Sequence, residues 1–377
     1  MSVIKPFELQ VPEKELDYLR NRLEMARWPE PETVEGWLQG VPISRLRSLV
    51  AYWVTKYDWR RCEAFLNRIG QFKTVIDGLE VYFLHIRSPH AGALPLLLTH
   101  GWPGSVLEFH KVIGPLTDPV AHGGEASDAF HLVIPALPGF GFSERPSEPG
   151  WGVERIARAW TELMRRLGYA RFVAQGGDWG SAVTLALGAE PPPELLAIHL
   201  NMLNIPPEGS LEEPDQDEKR AMAAARYFAD VESAYARLQA TRPQTIGYAL
   251  ADSPIGQAAW IYEKLTAWSD CNGAAENIFT MDEILDTVMM YWLPNTSASS
   301  ARLYWESMAS FRPKNVNIPV GYSQFPKEIT MPPKIWAEKY LQDIFYWNEL
   351  SVGGHFAAFE QPGLFVNELR SCFAGIR

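Results

Sequence analysis

The chain has 377 residues, of which 47% are hydrophobic and 12% aromatic, and its net charge is −11. This composition is typical of a globular protein with a large buried core. Because the positive charges are not clustered, the sequence argues against nucleic acid or an anionic membrane as a partner and favours a small neutral substrate.

The cysteine spacing and the lack of long apolar runs indicate where in the cell the protein is located. Cys62, Cys271 and Cys372 are far apart and lack metal-site spacing, so we expect reduced structural thiols. The sequence has no apolar run of about 18 residues, and its start has no signal-peptide pattern. We therefore expect a cytoplasmic protein without a membrane anchor.

The first predicted elements are helices. One begins at Pro12, carries leucines at helical spacing on one face, and ends before Trp28. A second amphipathic stretch covers residues 46–57. We interpret residues 1–71 as an N-terminal helical extension that packs on a later core and contributes no catalytic group.

Strand patterns follow the extension. Residues 73–84 form a predicted hairpin. Continuous apolar runs at 94–98 and 131–136 are typical of buried parallel strands, and helical segments alternate with them. We therefore predict the first part of a doubly wound, mostly parallel sheet over residues 72–202, with its sites at the carboxyl ends of the strands.

The pattern becomes helical after this region, and strand patterns resume at 316–320 and 344–347. We interpret residues 203–312 as a helical cap and residues 313–377 as the second part of the sheet domain. The cap is rich in large apolar side chains, some of which we expect to face the substrate. These are Trp260, Tyr262, Trp268, Met289, Met290, Tyr291 and Trp292.

The segment Gly176–Ser181 follows a strand-like run and precedes a helix-like run, which is the pattern of a nucleophile elbow. Such a turn strains the backbone at its apex, so small neighbours such as Gly176 and Gly180 are needed. The apex residue is Asp178, and no G-x-S-x-G occurs in the chain. A carboxylate here predicts attack on an sp3 carbon and an alkyl ester intermediate. The alternative is that Asp178 only caps the following helix.

Hydrolysis of such an ester requires a base, an acid that orients the base, and donors for the oxyanion. In folds with this elbow the order along the chain is nucleophile, acid, histidine. His355 follows a late strand in a glycine-lined loop, and we interpret it as the base. Glu328 is the first carboxylate after the strand 316–320 and is the preferred acid, with Glu338 and Asp343 as alternatives.

Backbone amides are the predicted oxyanion donors. One is the amide of Trp179, which directly follows Asp178. The other comes from the loop His100–Ser105 after a buried strand, and we assign it to Trp102.

Four segments carry a family resemblance when they are taken together. They are His100–Ser105, Leu137–Ser143, Gly176–Gly180 and Gly353–Glu360. This combination resembles microsomal-type epoxide hydrolases of the α/β-hydrolase superfamily. The short segments 27–29, 52–53, 57–60, 71–72 and 76–78 are similar to that family's N-terminal extension. The resemblance covers nearly the whole chain and implies an α/β-hydrolase fold, with a mostly parallel eight-stranded sheet flanked by helices and an inserted helical cap.

The resemblance also implies roles for individual cap residues. It places on Tyr235 and Tyr304 the two hydroxyls that bind the oxirane oxygen, and it supports Glu328 as the acid. The chemistry explains the need, because two phenols can protonate the alkoxide that ring opening produces.

We therefore predict a cofactor-independent epoxide hydrolase, of the EC 3.3.2 type and without a metal, that converts an apolar epoxide into a vicinal diol. The alternatives are a haloalkane dehalogenase-like hydrolase and a non-catalytic ligand-binding homologue. The N-terminal extension and the apolar cap are compatible with a homodimer.

Overall fold

The computed structural model describes residues 3–207, 213–308 and 311–377. Nine strands are found in these parts of the chain, and they form one sheet. The strands are β1 (Lys5–Pro6), β2 (Gln71–Ile76), β3 (Leu79–Ile86), β4 (Leu94–Thr99), β5 (Phe130–Pro135), β6 (Phe172–Gly176), β7 (Leu195–Leu200), β8 (Val316–Gln324) and β9 (Leu341–Glu349). Their order is β1-β2-β3-β5-β4-β6-β7-β8-β9, with antiparallel pairing from β1 to β5 along this order and parallel pairing beyond it.

The sheet has one strand more than the eight that we predicted. The additional strand is β1, which pairs Lys5 with Lys73 and Pro6 with Phe72 at the edge of the sheet. Two residues are too few for an alternation of side chains to be recognised in the sequence. The prediction of a mostly parallel α/β-hydrolase sheet is confirmed.

Helices flank the sheet and build the rest of the molecule. They are α1 (Glu13–Glu24), α2 (Ile43–Thr55), α3 (Trp59–Arg68), α4 (Ile113–Thr117), α5 (Val153–Arg166), α6 (Trp179–Ala189), α7 (Gln216–Tyr227), α8 (Ala234–Thr241), α9 (Pro243–Asp252), α10 (Pro254–Ala267), α11 (Met281–Trp292), α12 (Ser297–Ser307), α13 (Lys334–Ala337), α14 (Ala357–Glu360) and α15 (Pro362–Phe373). A π-helical turn, Phe228–Glu232, follows α7. Every residue of β5 and β6 is buried, which explains why these strands are mostly apolar.

The register of the central strands determines where a site can form. β4 and β6 are parallel neighbours, and Thr99 at the end of β4 pairs with Gly176 at the end of β6. The loops that follow these two strands therefore begin at the same level, at the carboxyl edge of the sheet. Sites in open α/β sheets form at this edge.

The N-terminal helices contact the cap as well as the sheet. Leu16, Leu19 and Leu23 form the buried face of α1, as the helical spacing predicted. The hydroxyl of Tyr52 donates to Asp282 over 3.0 Å, and that of Tyr57 donates to Asp286 over 2.7 Å, both on α11. The extension thus fixes the outer side of the cap.

Helices α7 to α12 lie between the end of β7 and the start of β8, and we place the cap in this interval. Residues 208–212 and 309–310, near both predicted cap boundaries, lie outside the described residues. Capping boxes at Asp215/Glu218 and Thr280/Glu283 begin α7 and α11.

The three cysteines are free and buried. Across the described ranges, none of the helices has both the length and the apolar character that a membrane span requires.

Candidate active site

Asp178 lies at the sharp turn between β6 and α6, with φ 50° and ψ −128°. This left-handed backbone is strained for a residue with a side chain. Gly180 and Gly176 permit the turn, because a Cβ on Gly180 would overlap the carbonyl oxygen of Thr99 and one on Gly176 would overlap that of Gly180. The carboxyl makes no capping hydrogen bond to α6, so the alternative that Asp178 serves as a helix cap is not supported.

The loop after β4 contributes a donor to this carboxylate. The backbone N–H of Trp102 donates to Oδ1 of Asp178 over 2.7 Å. Gly101 makes the close approach possible, since a Cβ there would overlap the Asp178 carboxyl. Of the two predicted amide donors, the structure places the Trp102 amide on Asp178. The Trp179 amide lies at the first residue of α6, and its role as an oxyanion donor stays a prediction.

The opposite oxygen of Asp178 faces His355. Nε2 of His355 lies 3.5 Å from Oδ2 of Asp178, and Nδ1 lies 2.6 Å from Oε1 of Glu328. All three side chains are buried. Glu338 and Asp343, the alternative acids, are exposed, and Asp343 lies within β9. Glu328 is therefore the carboxylate that the structure brings to the histidine.

The charge state of His355 is set by these two carboxylates. Burial of the imidazole opposes a positive charge, but Glu328 and Asp178 outweigh that effect and hold the pKa of His355 well above its usual value. In the free protein the imidazole is therefore protonated and donates from both ring nitrogens. One N–H is directed to each carboxylate.

The two predicted tyrosines lie above this group, on different cap helices. Tyr235 on α8 and Tyr304 on α12 have ring centroids 5.9 Å apart, at right angles within 10°. The ring of Trp102 stacks on Tyr235 at 5.0 Å, and the ring of Trp179 meets Tyr304 edge to face at 4.8 Å. Trp102 of the β4 loop and Trp179 of the elbow thus position the two phenols.

Both phenols are protonated and buried. Burial and the Asp178 carboxylate raise the pKa of Tyr235 well above its usual value, and burial with Tyr235 and Asp178 does the same for the pKa of Tyr304. The hydroxyl of Tyr304 is buried and has no hydrogen-bond partner among the described residues. Because buried hydroxyls are nearly always paired, this one is available to a ligand.

A cavity of about 170 Å³ joins these groups. Asp178, Tyr235 and Tyr304 line it, and most of its other walls are apolar. The remaining lining residues are Trp179, Met202, Asn204, Ala225, Phe228, Ala236, Met308, Phe311, Ile329 and Thr330. A buried carboxylate, two phenols and an apolar wall are suited to a small uncharged ligand.

Family models match two overlapping parts of the chain: "Epoxide hydrolase N terminus" at residues 4–109 and "alpha/beta hydrolase fold" at residues 95–246. Epoxide hydrolase 1 of Sus scrofa is 34% identical over 99% of this chain and 89% of its own length. The chain belongs to the epoxide hydrolase family. A protein of Stigmatella aurantiaca is 56% identical over 99% of this chain and 86% of its own length, and it is named provisionally as an epoxide hydrolase.

Solved structures of epoxide hydrolases agree with the whole fold. Juvenile hormone epoxide hydrolase of Bombyx mori matches with a TM-score of 0.90 at 29% identity, covering 100% of this chain and 95% of its own. Aspergillus niger epoxide hydrolase matches with a TM-score of 0.88 at 31% identity, covering 100% and 97%. The chain is an enzyme that hydrolyses epoxides, so the resemblance seen in the sequence is confirmed.

One expectation about this hydrolase was wrong. We expected some of the seven large apolar cap residues to face the substrate, but none of them is among the described residues that line the cavity. The walls come instead from Ala225 and Phe228 before α8 and from Met308 and Phe311 after α12. Among the seven, the ring of Trp268 packs against those of Tyr235 and His355, and the hydroxyl of Tyr291 donates to the carbonyl oxygen of Gly104.

Sequence reasoning also missed an acidic residue just after the β4 loop. Glu108 lies in the 3₁₀ turn Val106–Phe109. Its carboxyl folds back against Gly104 and occupies the space that a Cβ on residue 104 would need. Burial raises the pKa of Glu108 to about 8, with Asp178 and Glu328 adding to the rise and His355 opposing it. Glu108 is thus a neutral acid at pH 7. Its position three residues after Ser105, in a turn beside a predicted site, was the available signal.

Proposed function

We propose that this epoxide hydrolase acts through a covalent ester on Asp178, which His355 and Glu328 then hydrolyse. The observation that carries the proposal is that the two carboxylate oxygens of Asp178 have different neighbours. Oδ1 accepts from the Trp102 amide at 2.7 Å, and Oδ2 is on the side of His355 at 3.5 Å. One oxygen is thereby assigned to the ester carbonyl and the other to the bond with carbon.

In the first step Oδ2 of Asp178 forms a bond to an oxirane carbon as the ring C–O bond breaks. The electron pair of the broken bond stays on the oxirane oxygen, which takes a proton from Tyr235 or Tyr304. The high pKa of both phenols means that each regains its proton after the transfer. The product of this step is a hydroxyalkyl ester.

In the second step His355 removes a proton from water, and the resulting hydroxide adds to Cγ of Asp178. The negative charge develops on Oδ1, which the Trp102 amide already contacts. The bond between Cγ and Oδ2 then breaks, and the departing oxygen takes the proton from His355. The diol leaves with the former Oδ2, and the oxygen of water remains on Asp178 as part of a carboxyl group. This carboxyl gives its remaining proton to His355, which restores the carboxylate and the protonated imidazole of the free enzyme.

The first step supplies the base for the second. In the free enzyme the Asp178 carboxylate contributes to the raised pKa of His355. Esterification removes that negative charge, so the pKa of His355 falls and the imidazole can lose its proton. This proton replaces the one that the phenol gave to the oxirane oxygen. His355 is therefore a cation while Asp178 is a nucleophile and becomes a base only after the ester has formed.

An apolar epoxide of modest size is the substrate class that the cavity supports. Its volume of about 170 Å³ and its mostly apolar walls favour an alkyl or aryl oxirane over a charged one. A haloalkane is less well matched, because two phenols are suited to an alkoxide oxygen. The cytoplasmic location and a homodimer stay predictions.

Trapping of the ester tests the proposal. The His355→Ala variant, mixed with styrene oxide, is expected to gain the full mass of the epoxide in intact-protein mass spectra, and peptide mapping should place it on Asp178. Asp178→Asn is the matched control and should gain no mass. Diol production by the wild type without any adduct in the His355 variant would contradict the covalent route.

A further inference from the structure

The loop that carries His355 is bound to the cap. The backbone N–H of His355 donates to the carbonyl oxygen of Trp268 over 2.9 Å, and that of Gly353 donates to Oδ2 of Asp270 over 3.0 Å. Trp268 and Asp270 lie directly after α10 and are more than eighty residues earlier in the chain. These bonds therefore join two separate parts of the fold at the base itself.

Glu360, at the end of α14, completes the connection. Its Oε2 accepts from the backbone N–H of Asp270 over 2.8 Å, and its Oε1 accepts from that of Phe356 over 2.9 Å. The side chain is buried, so both bonds form away from water. One carboxylate thus holds the cap segment and the residue after His355 at the same time.

We propose that Asp270 and Glu360 are positioning residues that let the cap set the alignment of His355 for ester hydrolysis. The inference rests on the proposed two-step function, because it assigns the effect of these residues to the second step. It adds a function to the cap segment 268–270 that is separate from the binding of the epoxide by Tyr235 and Tyr304.

The loop itself depends on this support. Gly353 has a φ of 103°, a conformation that favours glycine and gives the loop little stiffness of its own. At Gly354 the cap backbone comes so close that a Cβ would lie 2.5 Å from the carbonyl oxygen of Trp268. Glu328 orients one ring nitrogen of His355, whereas the main chain on either side of the histidine is held by Asp270 and Glu360.

The ring of Trp268 adds a packing contact to these hydrogen bonds. Its centroid lies 5.0 Å from that of His355 and 5.1 Å from that of Tyr235. A change at Trp268 would therefore disturb the base and a phenol together. Asp270 and Glu360 contact neither phenol in a hydrogen bond or ring pair of the described residues, so they are the positions at which the two steps can be separated.

The proposal predicts a step-specific loss. Attack by Asp178 does not use His355, so alkylation should keep its rate when the histidine loop loosens. Hydrolysis needs Nε2 to be aligned with water and Cγ, and a misplacement of about 1 Å at such a group costs up to about 10²-fold. Variants at Asp270 and Glu360 should therefore accumulate the ester.

The experiment measures both steps in single turnovers with styrene oxide, by quenching and intact-protein mass spectrometry. Asp270→Ala and Glu360→Gln should hydrolyse the ester about 10-fold more slowly or worse, with alkylation within about twofold of the wild type. Asp270→Asn keeps an oxygen for the Gly353 amide and should restore most of the hydrolysis rate. Asp282→Ala, on the outer side of the cap, is the matched control and should change neither rate.

The outcomes separate the inference from the function on which it rests. Unchanged hydrolysis in Asp270→Ala and Glu360→Gln, or an equal loss in both steps, would overturn the positioning role while His355→Ala still traps the ester. An intact alkylation rate shows in the same sample that a variant is folded. If His355→Ala itself traps no ester, the covalent function fails first.

Discussion

Nε2 of His355 lies 3.5 Å from Oδ2 of Asp178, so the base and the nucleophile of the proposed mechanism face each other as a buried ion pair. The separation is slightly longer than an ordinary hydrogen bond. Burial still makes the attraction between the two charges strong, because little water screens it. The protonation of His355 is therefore coupled to the charge of Asp178.

Removal of the Asp178 charge should lower the pKa of His355. In Asp178→Asn we expect a decrease of about 1–3 units, since an adjacent carboxylate commonly has an effect of this size. The measurement is an NMR titration of the His355 ring, identified by its loss in a His355→Ala sample. Asp343→Asn, at an exposed position of β9, is the control. A pKa of His355 that is the same in Asp178→Asn and the wild type would contradict the coupling.

The oxygen atoms of Asp178 give a second prediction. In a single turnover in ¹⁸O-labelled water, the diol should carry no label and the Asp178 carboxylate should carry one labelled oxygen. The reason is that water adds to Cγ and the former Oδ2 leaves with the product. Mass spectrometry of the diol and of the Asp178 peptide provides the measurement. Label found mainly in the diol would mean that water attacks the oxirane directly.

The phenols should affect the first step, the alkylation of Asp178. Tyr304→Phe removes a buried hydroxyl that has no partner among the described residues, so the fold loses no hydrogen bond there. Alkylation should become about 10²-fold slower, as is typical when a general acid is lost, and hydrolysis of the formed ester should change by less than about threefold. Tyr248→Phe, at an exposed cap position, is the matched control. Equal alkylation rates in Tyr304→Phe and the wild type would remove Tyr304 from the mechanism.

The sequence predicts the site residues of the sheet domain better than those of the cap. Asp178 and His355 could be identified because a strained turn and a glycine-lined loop each restrict the residue types that fit. Glu328 followed from the order of the elements along the chain. The cap offered no such restriction, because helical periodicity does not say which buried aromatic side chain meets a cavity. Only the family resemblance selected Tyr235 and Tyr304.

Contacts between distant segments could not be predicted from the sequence either. Asp270 and the loop of His355 are more than eighty residues apart, and they are joined through backbone groups that any residue type carries. Glu360 was part of a recognised motif, but its partner at Asp270 was not implied by any spacing. Such a contact can be read only after the sheet and the cap have been placed together.

Glu108 provides the last prediction, which concerns stability and pH. Its pKa in the folded protein, about 8, is above the value of about 4.5 expected in the unfolded chain. The folded state therefore binds the proton more tightly, and this group lowers the free energy of unfolding as the pH rises from about 4.5 to 8, by at most about 1.4 kcal/mol per pH unit. Below that window the carboxyl is neutral in both states and has no such effect.

Glu108→Gln should remove this dependence, because an amide does not ionise. The stability of the variant relative to the wild type should increase from pH 5 to pH 8, as measured by urea unfolding at each pH. Glu24→Gln, at an exposed position of α1, is the control and should show a constant difference. A constant difference for Glu108→Gln as well would mean that the carboxyl is ionised in the folded enzyme. Glu108 would then be a fixed negative charge beside Asp178 rather than a neutral acid.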